Sequence, residues 1–189
     1  MLHEVAANLL LGLPVEYDLT DEQREVVDTY VDFVRSLPGE KLIEQGFKLP
    51  HHGEFWGTCD AIAVDGSRIV CVDLKAGRGV AVEVDYNGRI NPQLGMYLLG
   101  AMSRFPDREF TDIEMVIVQP RFGGIKRRSV APHELQELVE EMLSAAQNAL
   151  GENPRYEAGS HCKFCLARAT CPTLRGEVFR LAKMDFDDV

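Results

Sequence analysis

The sequence predicts a mixed α/β fold, and three observations carry that prediction. Helical apolar spacing over residues 3–11 and 21–36 gives way to three strand-like runs, a short helix, more strand and a long helix. That order suits a sheet flanked by helices, in which each element buries one face against another layer. The chain has 189 residues, 46% of them apolar and 26% charged, which is enough for one domain with a buried core.

The elements follow from local signals. In "DLTDEQREVVDTYVDFVRSL" either Thr20 or Asp21 caps the second helix, whose first turn is acidic, and Pro38-Gly39 ends it. Lys41 to Pro50, Phe55 to Val64 and Arg68 to Lys75 read as strands, with Asp65-Gly66 as a hairpin turn between the last two. A polar loop, "RGVAVEVDYNGRI", leads to Asn91-Pro92 and a helix from about Gln93 to Ser103. Asp112 to Pro120 is a fourth strand and "IKRRSV" a fifth. A long helix follows Pro132 and stops at Gly151. The remainder is a loop holding three cysteines, a short helix and an acidic tail. Residues 1–154 are expected to form the core, with 155–189 a cysteine-cluster segment and tail packed on it.

Composition narrows the function. No apolar run is long enough to span a bilayer. The opening "MLHEVAANLLLGLP" lacks a basic start and a small-residue cleavage site, so it reads as a helix and not as a signal peptide. It starts abruptly, which suggests a fragment or a short member of a longer family. A net charge of −10 opposes whole-surface attraction to nucleic acid and leaves room for a local groove. Basic residues gather between Arg121 and Ser129 and between Lys163 and Lys183; taken alone, each cluster is a solvated face. Five cysteines, three of them close together, suggest a reducing compartment and a metal site in place of a disulfide scaffold.

The stretch "GTCDAIAVDGSRIVCVDLKAG" raises the chemical question, because Asp60, Asp73 and Lys75 lie in segments patterned for burial. Desolvating charges is costly unless they are partnered. With Asp65-Gly66 as a two-residue loop, Asp60 falls opposite Cys71 and all three charged groups point to one side. Asp60 and Asp73 then become diagonal neighbours, roughly 7–8 Å apart at the backbone. Two such carboxylates can converge on a hard cation such as Mg²⁺, and a lysine beside them can steady negative charge, a set suited to phosphodiester hydrolysis. The plainer alternative is a buried Asp73–Lys75 ion pair, with Asp60 merely ending a strand. Gln93 and Tyr97 are four apart and so share a helix face. Glu44 reads as a solvated edge residue. His51 and His52, before "GEFWGT", are possible substrate contacts.

Taken in order, a histidine in the opening helix, "GTCD", "VDLK" and "QLGMY" resemble the RecB-like branch of the PD-(D/E)XK nuclease superfamily, above all its phage-encoded and CRISPR-associated exonucleases. The resemblance runs from His3 to Pro172. It implies a restriction-endonuclease-like mixed sheet core flanked by helices, with a C-terminal cysteine-rich metal-binding segment. It also implies a Mg²⁺ or Mn²⁺ ion held by His3, Asp60, Asp73 and the main-chain carbonyl of Leu74. Lys75 then takes the place of the catalytic lysine, and Gln93 and Tyr97 that of the Q-x-x-x-Y pair. Glu4 is the neighbouring acid that could substitute for His3.

Cys162, Cys165 and Cys171 have a C-x₂-C-x₅-C spacing that fits a soft metal. The resemblance implies a [4Fe–4S] cluster whose fourth cysteine precedes the helical histidine, and no cysteine stands before His3 here. His161 as fourth ligand would give a zinc-type site; a third outcome is an incomplete cluster with free thiols. Cys59 and Cys71 read as small buried hydrophobes in the hairpin.

The expected activity is therefore metal-dependent DNA hydrolysis, as an exonuclease or other deoxyribonuclease. The substrate would have a free end or be single-stranded, and the role would be in phage or mobile-element recombination and repair. A helicase or recombination partner is implied, in the cytoplasm (of a bacterial host if phage-encoded) and away from membranes. The rival readings are an inactive nucleic-acid-binding module and a structural subunit of a helicase–nuclease assembly.

Overall fold

A computed structural model describes residues 1–49 and 52–187, the side chains of 52–54 and 185–187 excepted. His51 lies outside the described residues, and His52 is described only as the first residue of a strand. Helices α1 (Leu2–Leu11) and α2 (Asp21–Ser36) come first. Thr20 caps α2 through a reciprocal box: its hydroxyl accepts from the Gln23 N–H while the Gln23 side chain accepts from the Thr20 N–H. Val26, Val27, Tyr30, Val31 and Val34 line the buried face of α2.

Strands β1 (Glu40–Leu49), β2 (His52–Asp65) and β3 (Arg68–Leu74) form an antiparallel meander. A small hairpin, β4 (Asp85–Tyr86) and β5 (Arg89–Ile90), interrupts what the sequence reads as loop. Then come α3 (Pro92–Met102), β6 (Asp112–Gln119), β7 (Gly124–Ser129) and α4 (Pro132–Leu150). The main sheet has the order β1-β2-β3-β6-β7, with β3 and β6 parallel and the other pairs antiparallel. It is a five-stranded mixed sheet flanked by helices. Ala61, Ala63, Val70, Val72, Leu74, Val116 and Val118 pack against α1 and α2, and α3 packs on β1, β2 and β3.

The chain divides into two compact units, Met1–Glu140 and Glu141–Val189, and the division falls within α4. The second unit holds the end of α4, a short 3-10 turn (Ser160–Phe164) and α5 (Pro172–Asp187). No helix among the described residues is long and apolar enough to cross a membrane.

The hairpin register differs from the expected one. Asp65 still pairs with Arg68, so the loop is Gly66-Ser67, with Gly66 in the left-handed region at φ 58°. Ile62, not Asp60, lies opposite Cys71. Ala61 pairs with Val72, where the ladder ends, so neither a direct nor a diagonal Asp60–Asp73 pairing is among its rungs. The slip is of two residues, so side-chain parity survives it.

Candidate metal and phosphodiester site

At Asp60 the meander changes hands. Ala61 and Ala63 face α1 and α2. Cys59 instead meets Cys71 at 3.2 Å between sulfurs, and a Cβ on Gly57 would strike the Tyr97 ring of α3. Strand β1 does the same at Glu44: Ile43 packs with α1 and α2, while Phe47 meets Tyr97 edge-on at 5.5 Å. The pairing runs Ile43–Ala61 and then Gln45–Cys59, skipping the Glu44–Asp60 rung, and Glu44 is left-handed at φ 51°. A bulky residue with positive φ is strained, and such strain concentrates where a side chain must be re-aimed.

Asp60 is held from two sides. Its Oδ2 accepts the Leu74 N–H at 2.7 Å, and its Oδ1 lies 3.2 Å from Nδ1 of His3 in the first turn of α1. That bond is the main reason the His3 pKa rises above its ordinary value, with the Asp60, Asp73 and Glu44 charges adding to it against desolvation. Glu44 is pushed up by burial and by Asp60. It belongs electrostatically to this cluster while remaining, as the sequence suggests, an exposed residue of the edge strand β1. Tyr30 of α2 is a second neighbour missed in the sequence, its buried hydroxyl without a hydrogen-bond partner among the described residues and its pKa raised by burial and by Asp60.

Asp73 is buried, and desolvation raises its pKa despite the opposing Lys75 charge. Lys75 Nζ sits 2.8 Å from Asp73 Oδ2 as a largely buried ion pair, and this contact pulls the Asp73 pKa down against the burial that raises it. The same ammonium donates to Gln93 Oε1 at 3.0 Å, and Gln93 Nε2 donates to the Tyr97 hydroxyl at 2.7 Å. Asn91 fixes the start of α3 by accepting from the N–H groups of Gln93 and Leu94, with Pro92 at the first helical position. Lys75, Gln93 and Tyr97 thus form one chain of polar contacts beside Asp73. Leu74 contributes its N–H to Asp60 and its side chain to the core.

The segment from Ala76 to Val84 straps across this end of the sheet. Buried Gln119 pins it twice, accepting from the Val82 N–H at 2.8 Å and donating to the Val80 carbonyl at 2.9 Å. Arg121 bonds the Ala76 carbonyl and Glu22, and Lys126 bonds the Val82 carbonyl and Glu83. A cavity of about 240 Å³ lies beneath, with His3, Leu74, Lys75, Gly77, Val80 and Gln119 among its walls. The basic run on β7 is largely spoken for: Arg127 pairs with Glu114 and Arg128 with Asp85 and Glu134.

The carboxylates of Asp60, Asp73 and Glu44 are hard oxygen donors suited to a divalent cation, with His3 a softer nitrogen beside them. As placed, however, no three His, Cys, Asp or Glu side chains among the described residues stand close enough together to hold a metal ion. The same holds in the second unit. Cys162 and Cys171 are half-buried, Cys165 is exposed and all three thiols are free. His161 Nε2 lies 3.2 Å from the Glu157 carbonyl, within its own turn. The expected cysteine-rich metal-binding segment is therefore not shown.

A family described as "Protein of unknown function (DUF2800)" matches residues 10–189. The chain belongs to the DUF2800 family. The match takes in Asp60, Asp73, Lys75, Gln93, Tyr97 and the three cysteines of the second unit, and it begins after His3. This DUF2800 chain is also similar to a solved structure described as "Crystal structure of SSO0001". The identity is 17% and the TM-score 0.38, with 88% of this chain and 67% of that chain covered.

Proposed function

We propose that this chain is a divalent-metal-dependent deoxyribonuclease of the RecB-like PD-(D/E)XK type, with a restriction-endonuclease-like core. The observation that supports it best is the Lys75 ammonium poised between Asp73 and Gln93, with the Asp60 charge close enough to act on Asp73. A Mg²⁺ or Mn²⁺ ion at Asp60, Asp73 and His3, with the Leu74 carbonyl, would supply Lewis acidity and charge neutralisation to phosphodiester hydrolysis. Lys75 steadies negative charge gathering on a phosphate oxygen, and Gln93, oriented by Tyr97, sets the direction of that ammonium. Burial of Asp73 sharpens these interactions, because charges act more strongly where water is excluded. A role in phage or mobile-element recombination, in the cytoplasm and beside a helicase or recombinase, belongs to the same proposal.

On spacing alone, an iron–sulfur or zinc staple at Cys162, Cys165 and Cys171 is also proposed. It requires those thiols to be gathered, which they are not as placed, and it enters no step of bond cleavage. Metal analysis of anaerobically purified protein tests it.

The activity is tested by Mg²⁺- or Mn²⁺-dependent release of nucleotides from labelled DNA. Cleavage that disappears in Asp73→Ala and in Lys75→Ala is the expected result. Binding without cleavage would make the chain a nucleic-acid-binding module, and cleavage unchanged in both variants would sink the site assignment.

A further inference from the structure

We infer that Trp56 is a stacking platform for an unpaired nucleobase, on an open shelf that leads a single strand of nucleic acid to Asp60. This deepens the nuclease reading and rests on it. Trp56 is the chain's single tryptophan, and 68% of it is exposed. A large aromatic left in water forgoes much burial free energy, and Trp56 does so beside Lys48, at the rung where the β1–β2 register shifts.

The face exchange at Glu44 and Asp60 explains the shelf. Beyond it, Phe47, Gly57 and Cys59 turn toward α3, which sends Gly46, Lys48, Trp56 and Thr58 to the opposite face. That face is the one α1 and α2 cover further along the strands, but these four residues are all exposed. Trp56 pairs directly with Lys48, and Thr58 with Gly46. The row therefore offers an aromatic face beside an ammonium, then a small hydroxyl, then bare backbone at Gly46, and it ends at Asp60 and His3. Trp56 lies four residues from Asp60, about 13 Å along the strand. At about 3.4 Å per stacked nucleotide, that span is about four nucleotides.

The chemistry of the row selects its occupant. A single strand presents base faces and phosphates together, matching an indole next to a lysine. A blunt duplex keeps its bases stacked inside and offers the indole nothing. A protein partner would want a continuous apolar patch, and among the described side chains the row offers Lys48 and Thr58, with bare backbone at Gly46.

Because Trp56 is the sole tryptophan, its emission reports on this site alone. The full chain in chelator, and separately Asp73→Asn, would be titrated with oligothymidylate and with a blunt hairpin duplex. Saturable quenching by the single strand, with little by the duplex, is expected. By fluorescence anisotropy of a labelled strand, Trp56→Ala should weaken binding about 5- to 100-fold, and Trp56→Phe should restore most of it. Three results would each overturn the inference: binding that leaves the emission unmoved, a Trp56→Ala chain that binds like the parent, or no single-strand binding at all. Emission that instead tracks protein concentration without DNA would assign the shelf to a second copy of the chain and overturn it too. Since cleavage is switched off throughout, quenching without nuclease activity in metal sinks only the catalytic reading, and cleavage without quenching sinks only this one.

Discussion

The Leu74 N–H donates to Oδ2 of Asp60 at 2.7 Å, so the strand that carries Asp73 and Lys75 grips the neighbouring acid with its own backbone. This bond separates what Asp60 does for the fold from what it is proposed to do for chemistry. Asp60→Asn keeps an acceptor for Leu74, whereas Asp60→Ala leaves a donor unmatched at a cost of about 1–3 kcal/mol. Chemical denaturation should find the Asn variant close to the parent and the Ala variant clearly weaker. Both should lose metal-dependent cleavage.

Asp73 should behave in the opposite sense. Burial raises its folded pKa above the unfolded value even with Lys75 alongside, so the fold favours the protonated acid. That contribution is fully present below the unfolded pKa and is lost as pH rises through the folded one. At neutral pH the ionised carboxylate is therefore a net cost. Asp73→Asn is expected to raise the thermal midpoint near neutrality in chelator, to give no such gain in strong acid, and to abolish cleavage.

The β2–β3 hairpin was legible because a Gly-containing turn between two strand-like runs marks one. The register itself was not, because Asp65 prefers to pair with Arg68 and leaves Gly66-Ser67 to turn. The first four helices were read almost to the residue, helped by the Thr20 and Asn91 caps, whereas α5, expected as a short helix before an acidic tail, continues to Asp187. Glu44 could not be read: nothing in "LIEQG" announces a left-handed glutamate, whose conformation is imposed by two strands crossing over together. Gln119 was equally silent, since its role depends on a strap far away in sequence.

His3 supplies a pH signature. Its pKa is raised, chiefly by the Asp60 hydrogen bond, so its stabilising contribution is complete below the unfolded histidine pKa and fades as pH climbs through the folded one. Unfolding midpoints in chelator should fall across that window, and His3→Gln should flatten the slope. Glu44→Gln should lower the His3 pKa, as read by NMR titration of the ring, because it removes one of the charges that raise it.

Gly100 sets helix propensity against packing. Replacing a mid-helix glycine by alanine ordinarily gains about 1 kcal/mol. Here the new Cβ would fall 1.8 Å from Cδ2 of Phe47, an overlap that must be relieved by moving a core ring. Overpacking of this kind costs about 1–3 kcal/mol, so Gly100→Ala should lower the melting temperature in spite of propensity. Gly77→Ala, where a Cβ meets nothing within 4 Å, should leave stability nearly unchanged.

The crossover shared by Glu44 and Asp60 also constrains how this arm of the protein can change length. Both ribbons turn over at one step, so each keeps its greasy residues inward on either side of it. Dropping a single amino acid from just one of them would carry Phe47 into water, or Gly57 and Cys59 away from α3. Viable insertions and deletions between the crossover and the register shift after Lys48 should therefore come as matched pairs, one in each ribbon.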